Sequence, residues 1–98
     1  QPRDTADLTL ALQTADDAGF SRRRRAELGV DIYGKALARV EESGPKPGER
    51  IGDFPVTADG MRSGLERALR LLADVTDNPL ERMRLIDKAN DIRPWSLV

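Results

Sequence analysis

Residues 44–56 read Gly-Pro-Lys-Pro-Gly-Glu-Arg-Ile-Gly-Asp-Phe-Pro-Val, with three prolines and three glycines. Proline lacks a backbone donor and glycine loses the most freedom on ordering, so no long helix or strand can run through this stretch. It divides the chain into two halves. Both halves carry apolar residues at three- and four-residue spacing, the mark of amphipathic helices. The interruption therefore reads as a crossover loop between two helix pairs, without a regular element of its own. Its second half carries Ile51, Phe54 and Val56 and is expected to pack onto the core.

Before the loop, the first helix is expected over Thr5–Ala18, with Leu8, Ala11, Leu12, Ala15 and Ala18 as its stripe and Gly19 as its stop. The second is expected over Arg22–Glu42. Ser21 serves as N-cap, and Leu28, Ile32, Tyr33, Ala36, Leu37 and Val40 form its apolar face. After the loop, Thr57 caps a third helix over Ala58–Val75, with Met61, Leu65, Ala68, Leu69 and Leu72 inward. Gly60, Gly64 and Ala68 add a ridge of small residues along which another helix can approach closely. The fourth is expected over Pro79–Ile92: Asn78 is the N-cap, Pro79 stands at N1 and Glu81 at N3. Its stripe is Leu80, Met83, Ile86 and Ala89, widened by Leu85. Trp95 follows Pro94, and its large apolar area is expected to fold back against the third helix or the loop near Phe54.

The expected fold is all-α: four helices in two antiparallel αα-hairpins. The second pair fits part of the 34-residue tetratricopeptide pattern, since Leu69, Ile86, Ala89 and Pro94 fall at signature spacings. The arrangement is therefore TPR-like. A length of 98 residues allows one domain, 1–98, with about 65% of the unfolded surface buried. The chain begins at Gln1 and is expected to be part of a longer one.

Composition narrows the chemistry. There is no Cys and no His, so disulfides, thiolate nucleophiles and the commonest general base and metal ligand are excluded. No cofactor and no catalysis are expected of these residues. The carboxylate pairs Glu41/Glu42 and Asp87/Asp91 fall on polar helix faces, away from any pocket signal. Sixteen basic and seventeen acidic residues leave a net charge of −1 and no general attraction for nucleic acid or lipid. No apolar run is long enough to span a membrane.

The loudest local feature is Arg22, Arg23, Arg24 and Arg25. These four could contact an acidic partner, phosphate or RNA. They also stand at a helix N-terminus, where cations oppose the helix dipole, just after Asp16 and Asp17, whose charges oppose the dipole of the preceding helix. Pairing of the two clusters across the turn is the structural expectation. Asp87, Asn90 and Arg93, at i, i+3 and i+6, are expected to cap the last turn and hold the tail. Ser96-Leu97-Val98 has the Ser-x-Val form of PDZ ligands, a tripeptide too common to carry a function.

The run Met61-Arg62-Ser63-Gly64-Leu65-Glu66-Arg67-Ala68-Leu69-Arg70, followed by Glu81-Arg82-Met83-Arg84-Leu85-Ile86-Asp87-Lys88-Ala89-Asn90-Asp91-Ile92-Arg93-Pro94-Trp95, resembles the C-terminal end of actinobacterial serine/threonine kinases of the protein kinase G type. The shared pattern rests on Gly64, Leu65, Glu66, Asp87, Ala89, Asn90, Arg93 and Pro94. Thirteen Arg against three Lys, with frequent Ala, fits a GC-rich source. The resemblance implies a cytoplasmic, non-catalytic TPR-like domain that contacts other proteins or its own kinase domain. No kinase lysine, catalytic aspartate or Gly-rich loop of that family occurs in this sequence, so no catalytic residue is carried over. A free-standing helical adaptor is the alternative, and a nucleic-acid module built on Arg22–Arg25 a more distant one.

Overall fold

The computed structural model describes residues 21–93. The expected helix Thr5–Ala18, the acidic pair Asp16/Asp17 and the tail from Pro94 through Trp95 lie outside the described residues. Within them stand three helices: α1 over Arg22–Ser43, α2 over Ala58–Asp74 and α3 over Pro79–Ile92. The architecture is mostly helical, as expected, and its three helices correspond to the second, third and fourth helical segments of the sequence.

All three helices start where side-chain acceptors meet their first free N–H groups. Ser21 Oγ accepts from the Arg24 N–H at 3.2 Å, and Thr57 Oγ1 from the Gly60 N–H at 2.9 Å. Asn78 Oδ1 accepts from both Leu80 and Glu81 at 3.0 Å. Each satisfies donors that an uncapped helix leaves open. At its other end α1 stops at Gly44, whose φ of 89° returns its N–H to the Val40 carbonyl at 2.7 Å.

The segment 44–56 departs from the expectation. It contains two short antiparallel strands, β1 over Arg50–Ile51 and β2 over Phe54–Pro55, with Arg50 opposite Pro55 and Ile51 opposite Phe54. Gly52 at the first central turn position takes φ 60°, the Gly-first arrangement that short hairpins favour. Flanking bonds extend the pairing: Val56 N–H donates to Glu49 O and Lys46 N–H to Val56 O, both at 3.0 Å. Pro55 is tolerated because β2 pairs on one side only. Ile51 and Val56 are buried and Phe54 partly so, in keeping with the expected packing of this half.

The core joins α1, the hairpin and α2 through Ile32, Tyr33, Ala36, Val40, Ile51, Val56, Met61, Leu65 and Leu69. α2 is the central element: it packs against α1, α3 and β2, whereas the backbones of α1 and α3 nowhere approach within 8 Å between Cα atoms. The small-residue ridge serves two neighbours. A methyl group at Gly64 would lie 2.5–2.8 Å from three Tyr33 ring carbons, and the Ala68 methyl already sits 3.1 Å from where a Gly29 side chain would begin. Gly60 takes no helix; it admits the Pro55 carbonyl of β2.

α3 also departs from the expected stripe. Leu80 is 67% exposed, Met83 60% and Ile86 36%, while Ala89 is fully buried. The inward edge is Leu85, Ala89 and Ile92, at i, i+4 and i+7. The helix is rotated by a fraction of a turn because close contact with α2 needs the small Ala89 at its centre.

Tyr33 ties the parts together. Its hydroxyl donates to the Ile51 carbonyl at 3.1 Å, and its ring meets Phe54 edge-on at 5.7 Å. Burial raises its hydroxyl above the ordinary value of 10.0; repulsion from Asp53 adds to this and attraction to Arg67 opposes it.

Two predictions follow from this packing. Gly64→Ala should lose about 1–3 kcal/mol in urea unfolding, because the ring of Tyr33 has nowhere to go. Gly34→Ala, with open space around its new methyl, should gain about 0.4–1 kcal/mol. Equal signs for the two would contradict the packing described.

The second concerns alkaline pH. The folded state holds the Tyr33 proton more tightly than the unfolded chain. Its contribution is therefore fully present below pH 10 and is lost as pH rises through the folded value. The alkaline fall in stability should be smaller in Tyr33→Phe, measured by unfolding midpoints on both sides of that pH.

Candidate functional site

The most developed polar arrangement lies where α2 meets the end of α3. Glu66 projects from the third turn of α2 and is only partly exposed. Four residues along the same helix, Arg70 Nε donates to Glu66 Oε2 at 2.9 Å. The i, i+4 spacing with the acid first is the favourable order on a helix. Arg70 then reaches across to α3: its Nη2 donates to Asn90 Oδ1 at 2.9 Å and to the Arg93 carbonyl at 3.5 Å.

Arg93 closes the arrangement from the other side. Its Nε lies 3.5 Å from Glu66 Oε1, so Glu66 stands between two guanidinium groups, one on each of its oxygens. Arg93 Nη1 donates to Ser63 Oγ and lies 3.6 Å from Asp59 Oδ1. Five side chains of two helices thus meet on one strip of surface, and Asp59 joins at its exposed edge. Charge-assisted bonds of this kind are stronger than neutral ones when water is partly excluded.

The turn joining the helices is pinned as well. The Thr76 hydroxyl donates to Leu72 O at 2.6 Å. The Thr76 carbonyl accepts from Arg82 Nε and Nη2 at 3.0 and 2.8 Å.

The sequence-predicted residues fall into this picture unevenly. Glu66, Asn90 and Arg93 come together in one network. Asn90 and Arg93 were expected to cap the last turn of their own helix, but both side chains bind across to α2 instead. The geometry favours this because Arg70 and Glu66 lie directly opposite the final turn of α3. Gly64 receives Tyr33, Leu65 is in the core and Ala89 is the α2–α3 contact point. Asp87 is exposed on the outer side of α3, away from the network. Pro94 lies outside the described residues. Sequence reasoning passed over Arg70, Ser63 and Asp59. Only Arg70 left a signal, its spacing from Glu66.

At the start of α1, Arg23 and Arg24 both turn to Glu27, at 3.4 and 3.8 Å. Arg22 is exposed and Arg25 half-buried. Their expected partners Asp16 and Asp17 lie outside the described residues. Glu41 pairs with Arg62 across the α1–α2 boundary at 3.5 Å, and Asp31 with Lys35 at 3.3 Å. Among the described residues, no three acidic side chains converge as a metal site, and no helix is long and apolar enough to cross a membrane.

Comparison with known proteins places this geometry. The sequence model of a family described as "Protein kinase G tetratricopeptide repeat" matches residues 4–96, so the likeness extends well beyond the motif-bearing third of the chain. A serine/threonine-protein kinase PknG of Mycolicibacterium smegmatis is 32% identical over 76 residues, covering 78% of this chain and 10% of that protein. A serine/threonine-protein kinase PknG of Mycobacterium leprae is 46% identical over 43 residues, covering 44% of this chain and 6% of that protein. The chain thus spans about a tenth or less of the curated relatives it matches. No solved structure matches significantly.

The network makes a quantitative prediction. Glu66→Ala would leave two guanidinium groups facing each other, and should cost about 1–3 kcal/mol. A double-mutant cycle of Glu66→Gln with Arg93→Gln should give a coupling of at least about 0.5 kcal/mol. Additive effects would mean that the two side chains do not work together.

Proposed function

Since this chain belongs to the protein kinase G tetratricopeptide repeat family, we propose that it is one domain of a longer, cytoplasmic serine/threonine kinase and does no chemistry itself. Its role is contact: it holds another protein, or its own kinase domain, and so regulates the attached enzyme. The observation that carries this reading is how the motif residues are used. Gly64, Leu65, Glu66, Ala89, Asn90 and Arg93 all set the fit of α2 to its neighbours. A motif given over to the shape of a helix pair belongs to a scaffold. Its yield is a surface of fixed geometry, which is what recognition of a protein requires.

The nucleic-acid reading has weak physical support. Two of the four clustered arginines share Glu27, and the net charge of the chain is −1. Phosphate-driven binding needs several cations free to displace counterions together.

The test compares the parent kinase with and without residues 1–98. A regulatory coupling of ordinary size changes affinity about fivefold or more. Removal should therefore raise KM for a protein substrate by at least about that factor and leave KM for ATP unchanged. Turnover of ATP by the 98 residues alone, or identical kinetics of the two enzymes, would overturn the proposal.

A further inference from the structure

The C-terminal half of α1 and the hairpin enclose a cleft of about 50 Å³. Its floor is apolar, made by Val40, Ile51 and Val56, and Gly44 borders it with its side open to solvent. A volume of that size exceeds what one water fills and suits a small aliphatic side chain. Arg39 and Lys46 stand on its walls, one from α1 and one from the loop.

These two cations are unlike the rest. Both are half-buried, and among the described residues neither side chain has a hydrogen-bond or ion-pair partner. The other half-buried cations among the described residues are engaged: Arg62 with Glu41, Arg70 and Arg93 with Glu66, and Arg25 also has a partner. Arg22, Arg84 and Lys88, which have no partner among the described residues, are exposed on helix surfaces. Of the carboxylates near in sequence, Glu41 is taken by Arg62, and Glu42 and Glu49 are exposed and pair with neither wall of the cleft. Two cations flanking an apolar cleft with no counter-charge among the described residues make a local positive field that favours an incoming anion.

We infer that this cleft is a docking site for an acidic segment of a partner protein, with an aliphatic side chain on the apolar floor and flanking carboxylates on Arg39 and Lys46. The inference deepens the contact role proposed above and rests on it. It supplies the chemistry of the partner: a short acidic stretch interrupted by one branched apolar residue. Charge complementarity selects the segment, and the small volume limits the residue at its centre.

The experiment is an amide-resolved NMR titration of the 98-residue chain with the capped peptide Ala-Glu-Leu-Glu-Ala. Its Gln-for-Glu analogue and a short single-stranded RNA serve as the other arms. The acidic peptide should shift amides of Val40, Gly44, Ile51 and Val56 and bind more weakly as salt rises. The analogue should bind about tenfold more weakly, as should the chain carrying Arg39→Gln and Lys46→Gln. The latter should keep the parental unfolding midpoint, while Arg84→Gln with Lys88→Gln should retain full affinity. Shifts that map away from the cleft, equal binding by the Gln analogue, or preference for RNA would overturn the inference. None of these results bears on the kinetics of the parent kinase with and without the domain, so the two readings fail separately.

Discussion

The contact of the Tyr33 ring with the bare backbone of Gly64 is the constraint on which the rest of the structure depends. A ring can lie on a helix at this distance only where no side chain intervenes. That approach brings α1 onto α2 closely enough for Ile32, Ala36 and Val40 to share a core with Met61, Leu65 and Leu69. It also puts the Tyr33 hydroxyl within reach of the Ile51 carbonyl, which anchors the hairpin, and sets the ring edge against Phe54. One aromatic residue thus fixes three elements through three kinds of interaction: dispersion, a buried hydrogen bond and an edge-on ring contact.

Much of the helical frame was legible because its determinants are local. Ser21, Thr57 and Asn78 act on N–H groups two or three residues away, so the starts of all three described helices could be read directly. The hairpin was hidden for the opposite reason. Its two-residue strands are too short for alternation to register, and the bonds that extend them, Lys46 to Val56 and Val56 to Glu49, span turns that composition alone calls loop. The facing of α3 was misread because its apolar residues form two overlapping edges. Spacing cannot tell whether Leu80, Met83 and Ile86 or Leu85, Ala89 and Ile92 meets the core. Only the tight fit against α2, which admits the small Ala89, decides.

The polar network shows the same divide. Glu66 and Arg70 share a helix face, and their pairing could be read from spacing. The bonds from Arg70 to Asn90 and from Arg93 to Ser63 and Glu66 cross some twenty to thirty residues of sequence. Resemblance to the kinase family marked Glu66, Asn90 and Arg93 as belonging together, and the structure supplies the physical reason. Each is a member of the lock that holds the last helix to the central one.

Because the backbones of α1 and α3 stay apart, α2 is the described element that lies between the two outer faces. Along one of its sides it is held by apolar contact with α1 and the hairpin. Along the other it is held by the smaller Leu85–Ala89–Ile92 edge together with the ionic network. The two junctions therefore respond to different conditions. Salt weakens the partly exposed Arg93 contacts and leaves the Tyr33 contact unaffected, since screening acts on charges that water can reach. The junction of α1 and the hairpin with α2 is thus the less salt-sensitive of the two, while the exposed edge of α3 carrying Leu80 and Met83 rests on the more salt-sensitive junction. For the contact role proposed above, that asymmetry would keep the face of α1 and the hairpin in place as ionic strength changes, while the edge of α3 responds to it.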